Sequence, residues 1–205
     1  NDILELLKKS YNLTIFTTIP ISAYFVMLAT ESVVFLSGTS FVEANVPMKI
    51  LMPTIVISSV SQIIGSQYSV SVGKEKNLMV AVIAGAIVNV IFNALLIPRI
   101  SYNGAALGTV IAEATQCTIQ IILAKEMVKQ VFSVKKLLKV SFGTIAAVIT
   151  TIVLRYFVGF SSTFLALLFC AMAFFTTYLV VLILVKYDFC MDLFCLLRNR
   201  GFRKG

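Results

Sequence analysis

Residues 78–123 read LMVAVIAGAIVNVIFNALLIP (78–98), RISYNGAALG (99–108) and TVIAEATQCTIQIIL (109–123). Two apolar runs, 78–97 and 104–123, contain 20 residues each. At about 1.5 Å per residue, such a helix is about 30 Å long, the thickness of a bilayer's hydrocarbon core. Pro98, Asn103 and Gly104 interrupt the chain between the runs, which predicts a tight transmembrane hairpin. The hairpin carries polar residues at helical spacing. Asn89 and Asn93 share one face of the first arm. Thr109, Glu113, Gln116 and Gln120 share one face of the second. Glu113 falls near the middle of its run, where a charged side chain costs about 3 kcal/mol or more, so it should face protein or a wet cavity.

Working outward, the rest of the chain is of the same kind. It is 59% hydrophobic and 13% charged, with a mean hydropathy of +0.98. A soluble domain is about half apolar and about a quarter charged, so that class is excluded. Four further spans are predicted, giving six in all: 13–36, 46–72, 78–97, 104–123, 140–157 and 164–185. The predicted fold is thus an all-α membrane protein. Residues 1–12 read as an amphipathic lead-in on the membrane surface. Pro20 should kink the first span and act as its hinge. In the second, Ser58, Gln62, Ser66 and Ser69 fall on one face. The serines fit close helix packing, whereas Gln62 is larger and near mid-depth. Residues 124–139 set five lysines around Met127, Val131 and Leu138, the pattern of an interfacial helix on anionic lipid. Residues 186–205 form a basic tail. The chain opens on Asn1, without Met, and is read as a piece of a longer protein.

The net charge of +8 would suggest a nucleic-acid partner in a soluble protein. Here alternating the loops across a membrane puts fourteen of the 17 Lys and Arg on one side. The positive-inside rule makes that side cytoplasmic and places both ends of the chain there. Lys49, Arg99 and Arg155 remain for the other side. Charge asymmetry therefore accounts for the basic balance, with membrane lipids and not nucleic acid as the partner.

Chemistry is limited by what is absent. The chain has no His, and its four Cys show no paired spacing, so neither a metal site nor a disulfide framework is indicated. No Gly-rich phosphate loop appears. Nothing calls for a cofactor, and an enzyme lacks its nucleophile–base pair. A transport pathway has its parts: Asn89, Asn93, Gln116 and Gln120 can bond hydroxyl groups, with Gln62 as a neighbour, and Glu113 can relay a proton. Two readings stand for the amides, as substrate contacts or as bonds between helices. Arg99, after Pro98, could meet a phosphate.

The stretch 89–113, NVIFNALLIPRISYNGAALGTVIAE, resembles one shared by bacterial polysaccharide-biosynthesis membrane proteins. These are the oligosaccharide flippases of the multidrug/oligosaccharidyl-lipid/polysaccharide exporter superfamily. Pro20 with the ESVVFLSG exit (31–38), and the GKEKN turn (73–77), are similar too. The resemblance implies that this chain is the six-helix C-terminal half of a two-lobed, MATE-like transporter of the bacterial cytoplasmic membrane, its N-terminal half missing. It implies alternating access that moves an undecaprenyl-pyrophosphate-linked oligosaccharide outward for O-antigen or capsule export, beside a glycan polymerase complex. Such flippases often hold the pyrophosphate with cations inside the cavity, and this half has none at mid-depth. Lipid II, teichoic-acid or drug export by a sibling, and a non-transport partner of glycan synthesis, are the alternatives.

Overall fold

The computed structural model describes residues 2–158 and 162–187. The expected basic tail at 186–205 lies outside them apart from Lys186 and Tyr187, and so do Cys190 and Cys195. Every regular element among the described residues is helical. The chain divides into two compact units, Asn1–Ser133 and Val134–Gly205.

The first unit begins with α1 (Asp2–Met27). Residues 2–12 of the expected lead-in form the first turns of this helix. Its Leu7, Tyr11 and Ile15 are buried, one turn apart, and α1 packs on α6 (Lys125–Val131). There Met127 and Val131 are buried, and the Tyr11 and Phe132 rings lie 4.4 Å apart. The kink expected at Pro20 is elsewhere. Pro20 sits buried inside α1, while the chain bends by 78° between α1 and α2 (Ala29–Ser37). Leu28 at the corner leaves helical geometry, with φ −107° and ψ 30°. Leu28 and Ala29 are both fully buried and pin the corner. A proline costs its helix one hydrogen bond, a loss that packing around Pro20 absorbs.

After a 3-10 turn, Thr39–Ala44, the expected second span arrives in pieces: α3 (Asn45–Leu51), α4 (Thr54–Gln62) and a π-helical stretch, Ile63–Ser69. The halves meet at 41°, at Met52–Pro53, where the proline interrupts the backbone ladder. Ser69 Oγ donates to Ile64 O at 2.9 Å, fastening the wider π turn.

The segment that decided the fold is α5 (Glu75–Leu123), 49 residues with one break. Pro98, Asn103 and Gly104 do not make that break. It falls at Ile100 and Ser101, and Ser101 takes φ 48°, which is uncommon without glycine. The two arms then run back along each other. Gly104 lies on the Leu96 backbone, Gly108 on Asn93, and Gly85 on Ala112 and Gln116. Small residues are what allow helix backbones in membrane proteins to approach so closely.

Near the turn, the exposed Tyr102 hydroxyl donates to Glu43 Oε2 at 3.1 Å. That bond, then burial, then the carboxylate's charge, raise the Tyr102 pKa above its ordinary value. Each cause favours the neutral phenol. The contact is thus fully present below about pH 10 and fades as pH climbs through the raised pKa. Glu43→Gln should bring the Tyr102 titration down towards that of a free tyrosine. Phenolate absorbance, taken as the difference from Tyr102→Phe, measures it, and an unmoved midpoint would discount the contact.

The interfacial helix expected over 124–139 is shorter. α6 ends at Val131, and Phe132 is extended (φ −86°, ψ 120°). Lys135, Lys136 and Lys139 therefore open α7 (Val134–Phe157), the second unit's first helix. With α8 (Thr163–Leu184) it makes a packed pair. Val140, Gly143, Thr144, Ala147 and Thr151 are buried from α7, and Ala166, Cys170, Phe174, Tyr178 and Leu182 from α8. The α8 positions recur every four residues, one face of a helix. A Cβ at Gly143 would stand 3.2 Å from Leu182 and 3.3 Å from Tyr178. Buried Thr144 and Thr151 donate to carbonyls one turn back, which satisfies both hydroxyls within α7. Lys139 Nζ donates to Lys186 O at 2.9 Å, placing a cation beside the end of α8.

Among the described residues α5, α7 and α8 are each long and apolar enough to cross a membrane, and counting each bent pair as one span makes five. This is the helix complement of a membrane protein.

Candidate functional site

The polar face of α5's second arm meets α4. Ser58 Oγ donates to Glu113 Oε2 at 2.8 Å, and Ser61 Oγ donates to Gln120 Oε1 at 2.8 Å. Gln116 Nε2 donates in turn to Ser61 Oγ at 3.3 Å. The spacings explain the match. Residues 58 and 61 lie one turn apart on α4, and 113, 116 and 120 lie one turn apart on α5. One row of hydroxyls thus faces one row of amides and a carboxylate, and each bond forms in an interior where polar groups left alone are costly.

Two cavities adjoin this row. One, of about 170 Å³, is lined by Val82, Gly85, Ala86, Asn89, Ala112, Glu113 and Gln116. The other, of about 140 Å³, is lined by Ser58, Ser61, Gln62, Ser66, Leu78, Glu113, Gln116 and Gln120. Glu113 and Gln116 belong to both walls and form the partition. Glycine at 85 matters here, since a Cβ would stand 3.2 Å from Gln116 Cβ.

The structure brings together five of the six residues expected for a pathway: Gln62, Asn89, Glu113, Gln116 and Gln120. Asn93 is set apart. Its Nδ2 donates to Asn89 Oδ1 at 3.0 Å, and its Oδ1 lies buried against Gly108 with no hydrogen-bond partner. It orients Asn89 within its own arm and packs against the second arm at Gly108. Thr109 bonds back to Ala105 O and lies on neither cavity wall. Arg99 is exposed, ten residues beyond Asn89, about 15 Å along the arm, and also lines neither cavity.

Ser61 went unread in the sequence, and Ser58 was assigned to packing. The available signal was their spacing of three, which repeats that of Glu113 and Gln116. Ser61→Ala would strand Gln116 Nε2 and Gln120 Oε1. A loss of about 1–2 kcal/mol is expected, read as a lower unfolding temperature in detergent. An unchanged temperature would mean that water replaces the hydroxyl.

Among the described residues no group of three His, Cys, Asp or Glu could hold a metal ion. No protein-family model matches the chain, and no curated protein matches it.

Proposed function

We propose that this chain is the C-terminal half of a lipid-linked oligosaccharide flippase. It would carry undecaprenyl-pyrophosphate-linked repeat units across the bacterial cytoplasmic membrane by alternating access. The observation that carries the reading is the row formed by Ser58, Ser61, Glu113, Gln116 and Gln120, with a cavity on either side of Glu113. Amides and hydroxyls in an apolar helical scaffold suit a cargo rich in hydroxyl groups, and intramembrane carboxylates tend to mark substrate or proton routes. A six-helix lobe follows if the two arms of α5 cross the membrane separately, which the break at Ser101 and the antiparallel glycine contacts support. In this account both termini of the segment are cytoplasmic, the pyrophosphate is held by the N-terminal half, and a glycan polymerase complex receives the product.

The test is transfer of a labelled undecaprenyl-pyrophosphate oligosaccharide across proteoliposomes containing the full-length protein. Transfer above protein-free vesicles is expected. No transfer by correctly inserted protein would overturn the reading. A sibling exporter would instead move lipid II, a teichoic-acid precursor or a drug in the same vesicles, and a structural partner of glycan synthesis would move none of them.

A further inference from the structure

The chain's positive charge is not shared between its two units. The second unit, Val134–Gly205, holds nine of the 17 Lys and Arg and two of the nine Asp and Glu, which is +7 of the net +8. Residues 134–187 contain no acid at all. Their five cations are also unevenly placed. Arg155 lies in the last turn of α7. Lys135, Lys136 and Lys139 lie in its first two turns, and Lys186 follows the end of α8. Lys139 Nζ donates to Lys186 O at 2.9 Å, so these two helix ends meet. Four lysines thus gather at one end of the α7–α8 pair.

Lys186 is held there against its backbone preference. It takes φ 51°, the left-handed region that favours glycine. Its N–H donates to Ile183 O at 3.1 Å, and the Tyr187 N–H donates to Leu182 O at 2.9 Å, with Leu182 and Tyr187 both buried. This is the helix-ending motif whose left-handed position is usually glycine. The motif uses only backbone atoms of residue 186, so what lysine adds is an exposed cation. The lysines of α7 also run against local rule. The start of a helix favours acidic side chains, and α7 has none in its first turn. Both placements concentrate positive potential at one end of the pair, where an anion relieves it.

The surroundings say which anion. α7 has 24 residues, about 36 Å of helix, against about 30 Å of hydrocarbon core. Its first turn therefore reaches headgroup depth. At the same end Val134, Leu138, Ile183 and Leu184 are exposed. A free phosphate ion would use the lysines alone, whereas a phospholipid uses the lysines and the apolar surface together. We propose that this end of the α7–α8 pair is a docking site for an anionic phospholipid. The lipid phosphate sits among Lys135, Lys139 and Lys186, and its acyl chains lie along the exposed leucines. The site does not depend on the flippase reading.

Native mass spectrometry of the full-length protein in detergent tests this, with phosphatidylglycerol and phosphatidylcholine supplied in equal amounts. Phosphatidylglycerol should be retained about fivefold or more over phosphatidylcholine. Lys186→Gly separates the cation from the fold, because glycine suits the left-handed backbone. That variant should unfold at the same temperature or higher, yet its lipid preference should fall by about threefold. Lys186→Arg should keep the preference. Lys135→Gln, which leaves the helix-ending motif untouched, should weaken it as Lys186→Gly does. Replacing Lys74 and Lys76 of the first unit by Gln should leave it unchanged. Equal retention of the two lipids by wild type would overturn the proposal. So would a preference that survives either Lys186→Gly or Lys135→Gln in folded protein, or one that falls equally on loss of Lys74 and Lys76.

Discussion

Glu113→Gln is expected to slow the transfer of lipid-linked oligosaccharide by tenfold or more. The substitution preserves shape and leaves an oxygen for Ser58 Oγ, which donates to Glu113 at 2.8 Å, so the α4–α5 contact should survive. What it removes is the carboxyl group in the wall shared by both cavities. A tenfold change corresponds to about 1.4 kcal/mol in the barrier, modest for an intramembrane carboxyl in a working pathway. The rate of transfer in proteoliposomes, normalised to inserted protein, is the measurement. A rate within twofold of wild type would leave Glu113 as a structural acceptor for Ser58 and would rule out the proposed proton relay.

Gly104→Ala should be the most damaging single methyl group in the first unit. A Cβ there would stand 2.5 Å from Leu96 C and O and 2.8 Å from Ile97 N. All three are backbone atoms of the opposite arm, and none can swing away, so the hairpin itself must open. Overpacking of this kind costs about 1–3 kcal/mol or more. Gly108→Ala meets the Asn93 side chain, and Gly65→Ala meets Leu78 Cδ1 and Gln120 Nε2, groups that can rotate. The expected order of unfolding temperatures therefore has Gly104→Ala lowest, with Gly108→Ala and Gly65→Ala closer to wild type. Equal losses at all three positions, or none at Gly104, would contradict the packed hairpin.

The hairpin was legible because its signals were local. Two runs of 20 apolar residues around a link that opens on Pro98 leave little choice of structure in lipid, and α8 agrees with its predicted span to within a residue at each end. The polar face was legible for the same reason, since Glu113, Gln116 and Gln120 follow the period of one helix. Bends were not. Proline marks where a helix can yield, but packing decides where it does, and the corner formed at buried Leu28 while Pro20 stayed within α1. The hairpin turn likewise chose Ile100 and Ser101 over Pro98 and Gly104. The amphipathic run at 124–139 reads evenly in sequence, yet extended Phe132 assigns its halves to different helices. Ser58 and Ser61 share the spacing of Glu113 and Gln116, but spacing alone does not set the two rows face to face, a pairing across 55 to 59 residues.

The central claim is that the cavity beside Glu113 opens to each side of the membrane in turn. Gln62 is exposed on its wall and offers a reporter position. The measurement is labelling of Gln62→Cys, in full-length protein with Cys117, Cys170, Cys190 and Cys195 replaced, by a membrane-impermeant maleimide applied to one face at a time. The account predicts labelling from both faces, with the balance shifted when lipid-linked oligosaccharide is present on one side. Labelling from a single face, unchanged by that substrate, would contradict it.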